Sequence, residues 1–219
     1  RQYELLKAKL TKEGIFDEGR KRSLPKFPQR IGLVTSADAA AYTDVLRILK
    51  NRWAGLEIML FPVTVQGAQA VASIETALAL INREYAKKLD VVILTRGGGS
   101  MEDLQAFNDE NVVRAVFGLK VPVVAAIGHE RDETLVEFAA DQRASTPSNA
   151  AELIVPDKQD VIAQLKTSIE RQYQALQTSH HLVAERISSD IVVLSQQMKQ
   201  YRTNVDHLTS LLHSYNPKQ

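Results

Sequence analysis

The chain has 219 residues, a formal net charge of +1 and a composition typical of a folded protein, with 44% hydrophobic and 24% charged residues. It contains no cysteine, which excludes thiol nucleophiles, disulfides and cysteine-ligated zinc. No run reaches the roughly 18 uninterrupted apolar residues of a membrane span, and the start lacks a signal-peptide hydrophobic region. We therefore expect a cytoplasmic protein with no membrane partner. Because the chain starts at Arg1 rather than Met, we also expect a fragment of a longer protein.

Residues 1–29 are charged and predict an N-terminal linker that contains a short helix. Pro25 and Pro28 mark the end of this linker. The basic residues from Arg20 to Lys26 are typical of a solvated loop, and contact with DNA is the less favoured alternative.

Residues 30–156 alternate strand and helix patterns. The predicted strands are the near-continuous apolar runs 31–35, 56–63, 89–95 and 121–127, and the helical patterns between them are 39–51, 68–88 and 102–118. Such runs are typical of parallel strands that are covered on both faces. The alternation predicts an α/β fold with a doubly wound, mostly parallel sheet. A ligand site in this fold lies at the carboxyl ends of the strands, where the strand order reverses.

Residues 157–219 predict a long coiled-coil helix. Apolar side chains recur at helical spacing and form a stripe: Ile162, Leu165, Ile169, Tyr173, Leu176, His180, Val183, Ile187, Ile191, Leu194, Met198, Tyr201, Val205, Leu208 and Leu212. The mean step is about 3.57 residues, between the straight-helix and heptad periods. A single helix of about 85 Å cannot bury this stripe on itself, so it must pair with another helix. We interpret His180 and His181 as polar residues tolerated at that contact rather than as metal ligands.

A glycine-rich segment follows the apolar run 91–94 directly. It consists of Arg96, Gly97, Gly98, Gly99 and Ser100. Glycines let backbone N–H groups approach an anion closely, and the guanidinium fork of an arginine suits phosphate oxygens. A flexible linker would have similar glycines, but the preceding apolar run and the acidic pair Glu102–Asp103 favour a phosphate site.

Polar side chains follow three of the predicted strands. After the first come Ser36 and Asp44; after the third come Arg96 and the glycines; after the fourth come His129 and Asp132 and, further along, Arg143 and Thr146. Since the carboxyl ends of parallel strands meet at one edge, we expect these side chains to lie together. Surface or helix-capping roles are alternatives of equal weight for Asp44 and Asp132, and Glu102 and Asp103 are better explained as structural.

Four sequence runs together carry a resemblance to a known family: IGLVTS…AAAYTDVLRILKNRW, FPVTVQG, ILTRGGGSMEDLQAFNDENVVRAV and VPVVAAIGHERDETLVEFAADQRASTPSNAAE. The chain resembles the catalytic domain of the exonuclease VII large subunit over about residues 25–156. The helix at 157–219 is similar to the extended coiled-coil region of that family. The domains expected are therefore an N-terminal linker, an α/β catalytic domain at 30–156 and the long helix.

The resemblance implies an exodeoxyribonuclease of DNA repair that hydrolyses single-stranded DNA into oligonucleotides from either end. It further implies an N-terminal OB-fold that holds the strand, for which residues 1–29 are too short. Several copies of a small helical subunit would bind along the long helix.

The resemblance also implies site residues. The family's catalytic residues fall on Asp44, Arg96, His129 and Asp132, the residues that the strand-end argument selects. Phosphate or substrate contacts are expected from Ser36, Gly97, Gly98, Gly99, Ser100, Arg143 and Thr146. Two positions depart from the family pattern: residues 37–39 read Ala-Asp-Ala where a Pro-Thr-Gly type of turn is usual, and Gln105 replaces an aromatic residue.

The sequence leaves the cofactor and the choice between nuclease and non-nuclease functions open. Two or three of the carboxylates could hold Mg²⁺, but no ligand spacing is diagnostic, so metal ligands are not assigned. A phosphate- or nucleotide-binding α/β module without nuclease activity would use the same glycine segment. A non-catalytic scaffold built around the long helix ranks last, because it leaves Arg96, His129 and Asp132 without a role.

Overall fold

The structure is a computed structural model that describes residues 2–96, 101–128 and 133–215. The chain divides into two compact units, Arg1–Val161 and Ile162–Gln219. The strands are β1 Arg30–Thr35, β2 Glu57–Pro62, β3 Val91–Thr95, β4 Val123–Ala126 and β5 Gln142–Arg143. The α-helices are α1 Gln2–Lys12, α2 Ala40–Arg52, α3 Ala70–Leu80, α4 Glu110–Phe117, α5 Leu135–Ala139, α6 Pro147–Ile154 and α7 Lys158–Tyr215. Shorter turns are the 3₁₀ helices Glu18–Arg20 and Met101–Asn108 and the π-helix Ile81–Tyr85.

Within the described residues the strands form one parallel sheet in the order β2-β1-β3-β4-β5. This confirms the predicted α/β fold with a doubly wound sheet. Every residue of β3 and β4 is buried, as the near-continuous apolar runs predict for central parallel strands.

Helices cover both faces of the sheet. One face packs Ile31 and Leu33 of β1 with Val45 and Leu49 of α2, and α6 joins this cluster. Val34 of β1 points to the opposite face, which packs against α1, α3, α4 and α5. Successive residues of a strand point to opposite faces, so β1 contributes to both halves of the core.

Several predicted boundaries are wrong, for local reasons. The predicted helix 102–118 is two helices, because the Asp109 side chain accepts a hydrogen bond from Asn111 N at 2.8 Å and starts α4 there. The predicted strand 89–95 begins at Val91, since the Asp90 carboxylate accepts the N–H groups of Gln29 and Arg30. The predicted helix 68–88 ends as α3 at Leu80 and continues as the π-helix. Sequence patterns missed β5, which has only two residues, both polar.

The N-terminal segment packs onto the α/β core. Leu10 of α1 and Ile15 are almost completely buried in the cluster that also contains α3 and α4. The expectation of a solvated basic loop is wrong for Arg20 and Arg22. The Arg20 guanidinium donates to the carbonyl oxygens of Ile15 and Ala139, and Arg22 binds a buried carboxylate.

That carboxylate belongs to Asp141, whose side chain is 1% exposed. Arg22 donates to it three times, from its backbone N and Nε to Oδ1 and from Nη2 to Oδ2, at 2.7–3.0 Å. Val123 N, at the start of β4, donates to Oδ2 at 2.8 Å. Burial by itself would raise the pKa of Asp141, but the hydrogen bonds from Arg22 and Val123 outweigh it and hold this pKa below its ordinary value.

The second unit is occupied by α7. The helix runs for 58 residues, and no side chain between Lys158 and Tyr215 is buried. The single long helix that the apolar stripe predicts is therefore confirmed, with Leu176, Met198 and Leu212 each about 70% exposed. No helix in the described part of the chain combines the length and the apolarity that a membrane span requires.

We expect Arg22→Ala to lower the free energy of unfolding at pH 7 by about 3 kcal/mol, because the buried Asp141 carboxylate loses its cation. Since the folded-state pKa of Asp141 is lowered, its stabilising contribution is complete above the ordinary value of 3.8 and is lost as the pH falls through the folded-state pKa. The difference between wild type and variant should therefore shrink below about pH 4. Urea denaturation between pH 7 and pH 3 measures this difference.

Arg83→Ala is the matched control, because it breaks only an exposed ion pair with Glu84 and should change stability by less than about 1 kcal/mol. A difference between wild type and Arg22→Ala that stays constant down to pH 3 would contradict the account.

Candidate active site

The segments that carry the predicted site residues leave the sheet at the carboxyl ends of its strands. Strand order reverses between β1 and β3, because the chain passes from β1 outward to β2 and then returns to the other side of β1. The segments that leave β1 and β3 therefore diverge to opposite faces and open a crevice at this edge. Ser36 follows β1, Arg96 follows β3, and Gly128 follows β4 by two residues.

Arg96 is the residue at the end of β3 on this edge. It comes directly after β3 and is only 8% exposed. Its backbone N–H donates to the carbonyl oxygen of Ala126 at 3.4 Å, which ties the end of β3 to the end of β4. A guanidinium fixed at the strand end can offer two parallel N–H donors to a phosphate.

Asp44 and Ser36 lie on the β1 side of the crevice. Ser36 is partly exposed, and its carbonyl accepts the N–H of Ala39 at 3.2 Å in the turn that starts α2. Asp44 is in the second turn of α2, its side chain is 48% exposed, and it pairs with Arg47 at 3.0 Å. An exposed pair of this kind contributes little to stability, so the Asp44 carboxylate stays accessible to solvent and to ligands.

Arg143 and Thr146 take part in local structure. The Thr146 hydroxyl accepts the N–H of Asn149 at 3.0 Å and caps α6. Arg143 contacts two carboxylates, with Nη1 2.6 Å from Glu133 Oε1 and Nε 3.7 Å from Glu137 Oε1. Substrate binding by either residue stays a prediction.

The remaining predicted residues, Gly97, Gly98, Gly99, Ser100, His129 and Asp132, lie outside the described residues, as do the side chains of Glu102 and Asp103. Of the described residues, Ser36, Arg96 and Gly128 follow strands that end at this edge, whereas Asp44 lies in the helix that follows β1.

Sequence reasoning missed Glu137, a buried carboxylate beside this edge. It is 3% exposed and accepts hydrogen bonds from the backbone of Gly128 and of Thr134. The spacing Thr134-x-x-Glu137 before an apolar run is the signature of a helix capping box, and that signal could have identified it. Asn108 was also missed; its Oδ1 accepts the N–H of Leu135 at 2.9 Å.

Two threonines end neighbouring strands and differ in their hydrogen bonds. Thr35 follows Val34 and Thr95 follows Leu94, two residues that pair between β1 and β3. Both threonines are fully buried. The Thr95 hydroxyl donates to the carbonyl of Ala126 at 2.9 Å. The Thr35 hydroxyl finds no hydrogen-bond partner among the described residues, which is uncommon for a buried polar atom.

Comparison with models of known protein families identifies the family of this chain. The model of the family "Exonuclease VII, large subunit" matches residues 15–219. The chain belongs to the exonuclease VII large subunit family. The resemblance stated from the four sequence runs and from the long helix is thereby confirmed.

Similar proteins include members of this family from three bacteria, each named exodeoxyribonuclease 7 large subunit. The chain is 42% identical to that of Streptococcus gordonii over 213 residues, which are 96% of this chain and 47% of the relative. It is 49% identical to that of Proteus mirabilis over 175 residues, 80% of this chain and 37% of the relative. It is 48% identical to that of Syntrophotalea carbinolica over 185 residues, which are 84% of this chain and 46% of the relative. The chain thus spans less than half the length of these exonuclease VII large subunits.

A metal centre is not formed by the described residues of this exonuclease VII chain alone. Across 2–96, 101–128 and 133–215 there is no group of three or more histidine or acidic side chains placed to hold a metal ion. Among the described residues the one carboxylate of the predicted catalytic set is Asp44, which accepts a hydrogen bond from Arg47 Nη2 at 3.0 Å.

Thr35 and Thr95 provide a paired test of the edge. We expect Thr95→Val to lower the free energy of unfolding by about 1 kcal/mol, since it removes a buried hydrogen bond. Thr35→Val should leave stability unchanged or raise it slightly, because valine replaces an unpaired hydroxyl with a methyl group of the same shape. Urea denaturation of the two variants measures both effects, and equal losses would contradict the difference in hydrogen bonding.

Proposed function

We propose that this chain is the catalytic part of an exonuclease that hydrolyses phosphodiester bonds of single-stranded DNA and releases oligonucleotides. The observation that carries the proposal is the position of Arg96, buried at the end of β3 where the strand order reverses. Asp44 and the segment that contains His129 start from the same edge. Family membership favours this activity over a phosphate-binding module without nuclease activity. Cytoplasmic location and a role in DNA repair belong to the same proposal.

Phosphodiester hydrolysis needs a nucleophilic water, stabilisation of charge on the phosphoryl oxygens, and a proton for the leaving oxygen. Arg96 and the backbone N–H groups of Gly97–Ser100 hold the phosphate and offset its growing charge. His129 acts as the general base or acid, since the ordinary pKa of a histidine lies near neutral pH.

Asp44 and Asp132 have two alternative tasks in this proposal. Asp132 orients His129 while Asp44 positions the attacking water, or the two carboxylates bind Mg²⁺, a hard cation that prefers oxygen ligands. Only the second alternative makes cleavage sensitive to a chelator.

The proposed partners are single-stranded DNA and several copies of a small helical subunit, which bind along α7. The support for the second partner is the apolar stripe, whose side chains are 41–74% exposed over the whole helix. An amphipathic helix this long needs a partner helix to cover its stripe.

We expect His129→Ala and Arg96→Ala to abolish cleavage of end-labelled single-stranded DNA while the fold is retained. Arg83→Ala, an exposed arginine that follows α3, is the matched control and should keep wild-type activity. The assay uses the chain in its full-length context with the small subunit, with and without EDTA. Wild-type activity in either site variant would remove that residue from the mechanism, and EDTA-resistant cleavage would remove Mg²⁺.

For α7 we expect Leu194→Asp to weaken binding of the small subunit by at least about tenfold, because the interface would bury an unpaired carboxylate. Gln196→Asp introduces the same charge about 200° around the helix and should leave binding unchanged. Sedimentation with the purified small subunit measures both, and circular dichroism checks that α7 stays helical. Equal effects of the two variants would place the contact elsewhere.

A further inference from the structure

The buried carboxylate of Glu137 contacts both ends of the segment that carries His129 and Asp132. At one end, Oε1 accepts the N–H groups of Ile127 at 3.4 Å and Gly128 at 3.2 Å. At the other end, Oε2 accepts the N–H and the hydroxyl of Thr134 at 2.9 and 3.2 Å. Each oxygen of one side chain therefore serves a different end of the segment.

Helix capping explains only half of these contacts. The capping box of α5 needs one carboxylate oxygen to accept the Thr134 N–H, and an exposed glutamate could provide it. Burying the carboxylate to 3% exposure carries a desolvation cost that capping does not require. Oε1 offsets that cost by accepting from the end of β4, and Arg143 Nε lies 3.7 Å from the same oxygen.

The contacts bring together backbone atoms that an extended chain would separate. Thr134 is six positions after Gly128 in the chain, and an extended chain of six residue steps spans about 20 Å. Here both N–H groups lie within 3.2 Å of one carboxylate. The next residue, Leu135, donates to Asn108, the last residue of the 3₁₀ helix that follows the glycine segment. The segment's anchor points are thus fixed to β4 and to the polypeptide that leaves β3.

We infer that Glu137 is a positioning residue of the proposed nuclease, whose carboxylate fixes both ends of the segment that bears His129 and Asp132. The inference rests on the proposed function for its catalytic consequence. Glu137 contacts no substrate; it limits where the two ends can move relative to Arg96. Because β3 is also held by its pairing with β1, loss of Glu137 should slow the chemical step and leave DNA binding intact.

Glu137→Gln is the decisive variant, because it keeps the shape and replaces one acceptor oxygen by an NH₂ group. The amide oxygen can accept hydrogen bonds at one end of the segment. At the other end the NH₂ group would face N–H or O–H donors and could not accept from them. We expect kcat for single-stranded DNA to fall by about 10- to 100-fold with KM within about twofold of wild type. Glu84→Gln, an exposed glutamate beyond α3, is the matched control and should leave both constants unchanged.

Amide hydrogen exchange gives a readout that does not depend on cleavage. In Glu137→Gln the amides of Gly128 and Thr134 should exchange about tenfold faster, while those of Val92 and Ile93 in β3 stay protected. Unchanged exchange at Gly128 and Thr134, faster exchange throughout β3, or an unchanged kcat would each overturn the inference. An inactive wild-type enzyme would instead overturn the proposed function, and the exchange result would still decide whether Glu137 fixes the two ends.

Discussion

Parallel pairing of β1 with both β2 and β3 is the constraint on which the rest of the α/β unit depends. A parallel neighbour can be reached only by a crossover, so each strand must be followed by a segment that leaves from the carboxyl edge. Since β1 lies between β2 and β3, the segment that leaves β1 runs to β2 and the segment that leaves β3 runs to β4, in opposite directions along the sheet. The crevice at this edge follows from strand order alone, before any side chain is considered. It explains how residues as distant in sequence as Ser36 and Arg96 both follow strands that end at one edge.

Two buried carboxylates then fix β4 at both of its ends. Asp141 accepts the N–H of Val123, where the strand begins, and Glu137 accepts the N–H of Ile127, just after it ends. Both acids come from the short stretch that contains α5, and each has an arginine nearby. In a low-dielectric environment such charge-assisted hydrogen bonds are stronger than neutral ones, and they penalise movement of β4 along its axis. The position of the strand end that precedes His129 is therefore set by charge as well as by sheet pairing.

Local patterns predicted the architecture because the signals for it are local. Continuous apolar runs indicated the four longer strands, and a 3.57-residue period indicated α7. The two-residue β5 has no such pattern, since Gln142 and Arg143 are polar and join the sheet only through β4. Arg22 and Asp141 are 119 residues apart, so no spacing rule could pair them, and the basic segment was read as a solvated loop. Contacts of this kind depend on tertiary structure.

The candidate site divides in the same way. The glycine segment and the strand-end polar residues could be selected from sequence, because phosphate binding uses recognisable residue types directly after a strand. One of the two contacts of Glu137 can be predicted from sequence. Its contact with Thr134 lies within one helical turn, whereas its contact with Gly128 joins the helix to a different element and has no local signal. The catalytic roles of His129 and Asp132 stay predictions that rest on the family resemblance and on the strand-end argument.

The spacing of the apolar stripe on α7 has a geometric consequence for whatever helices pack on it. At 100° per residue, a mean step of 3.57 residues falls short of a full rotation by only a few degrees, so the stripe drifts by about 40° from Ile162 to Leu212. The contact line is therefore nearly straight and parallel to the helix axis over its whole length. A helix laid on this line needs almost no supercoiling to stay in contact.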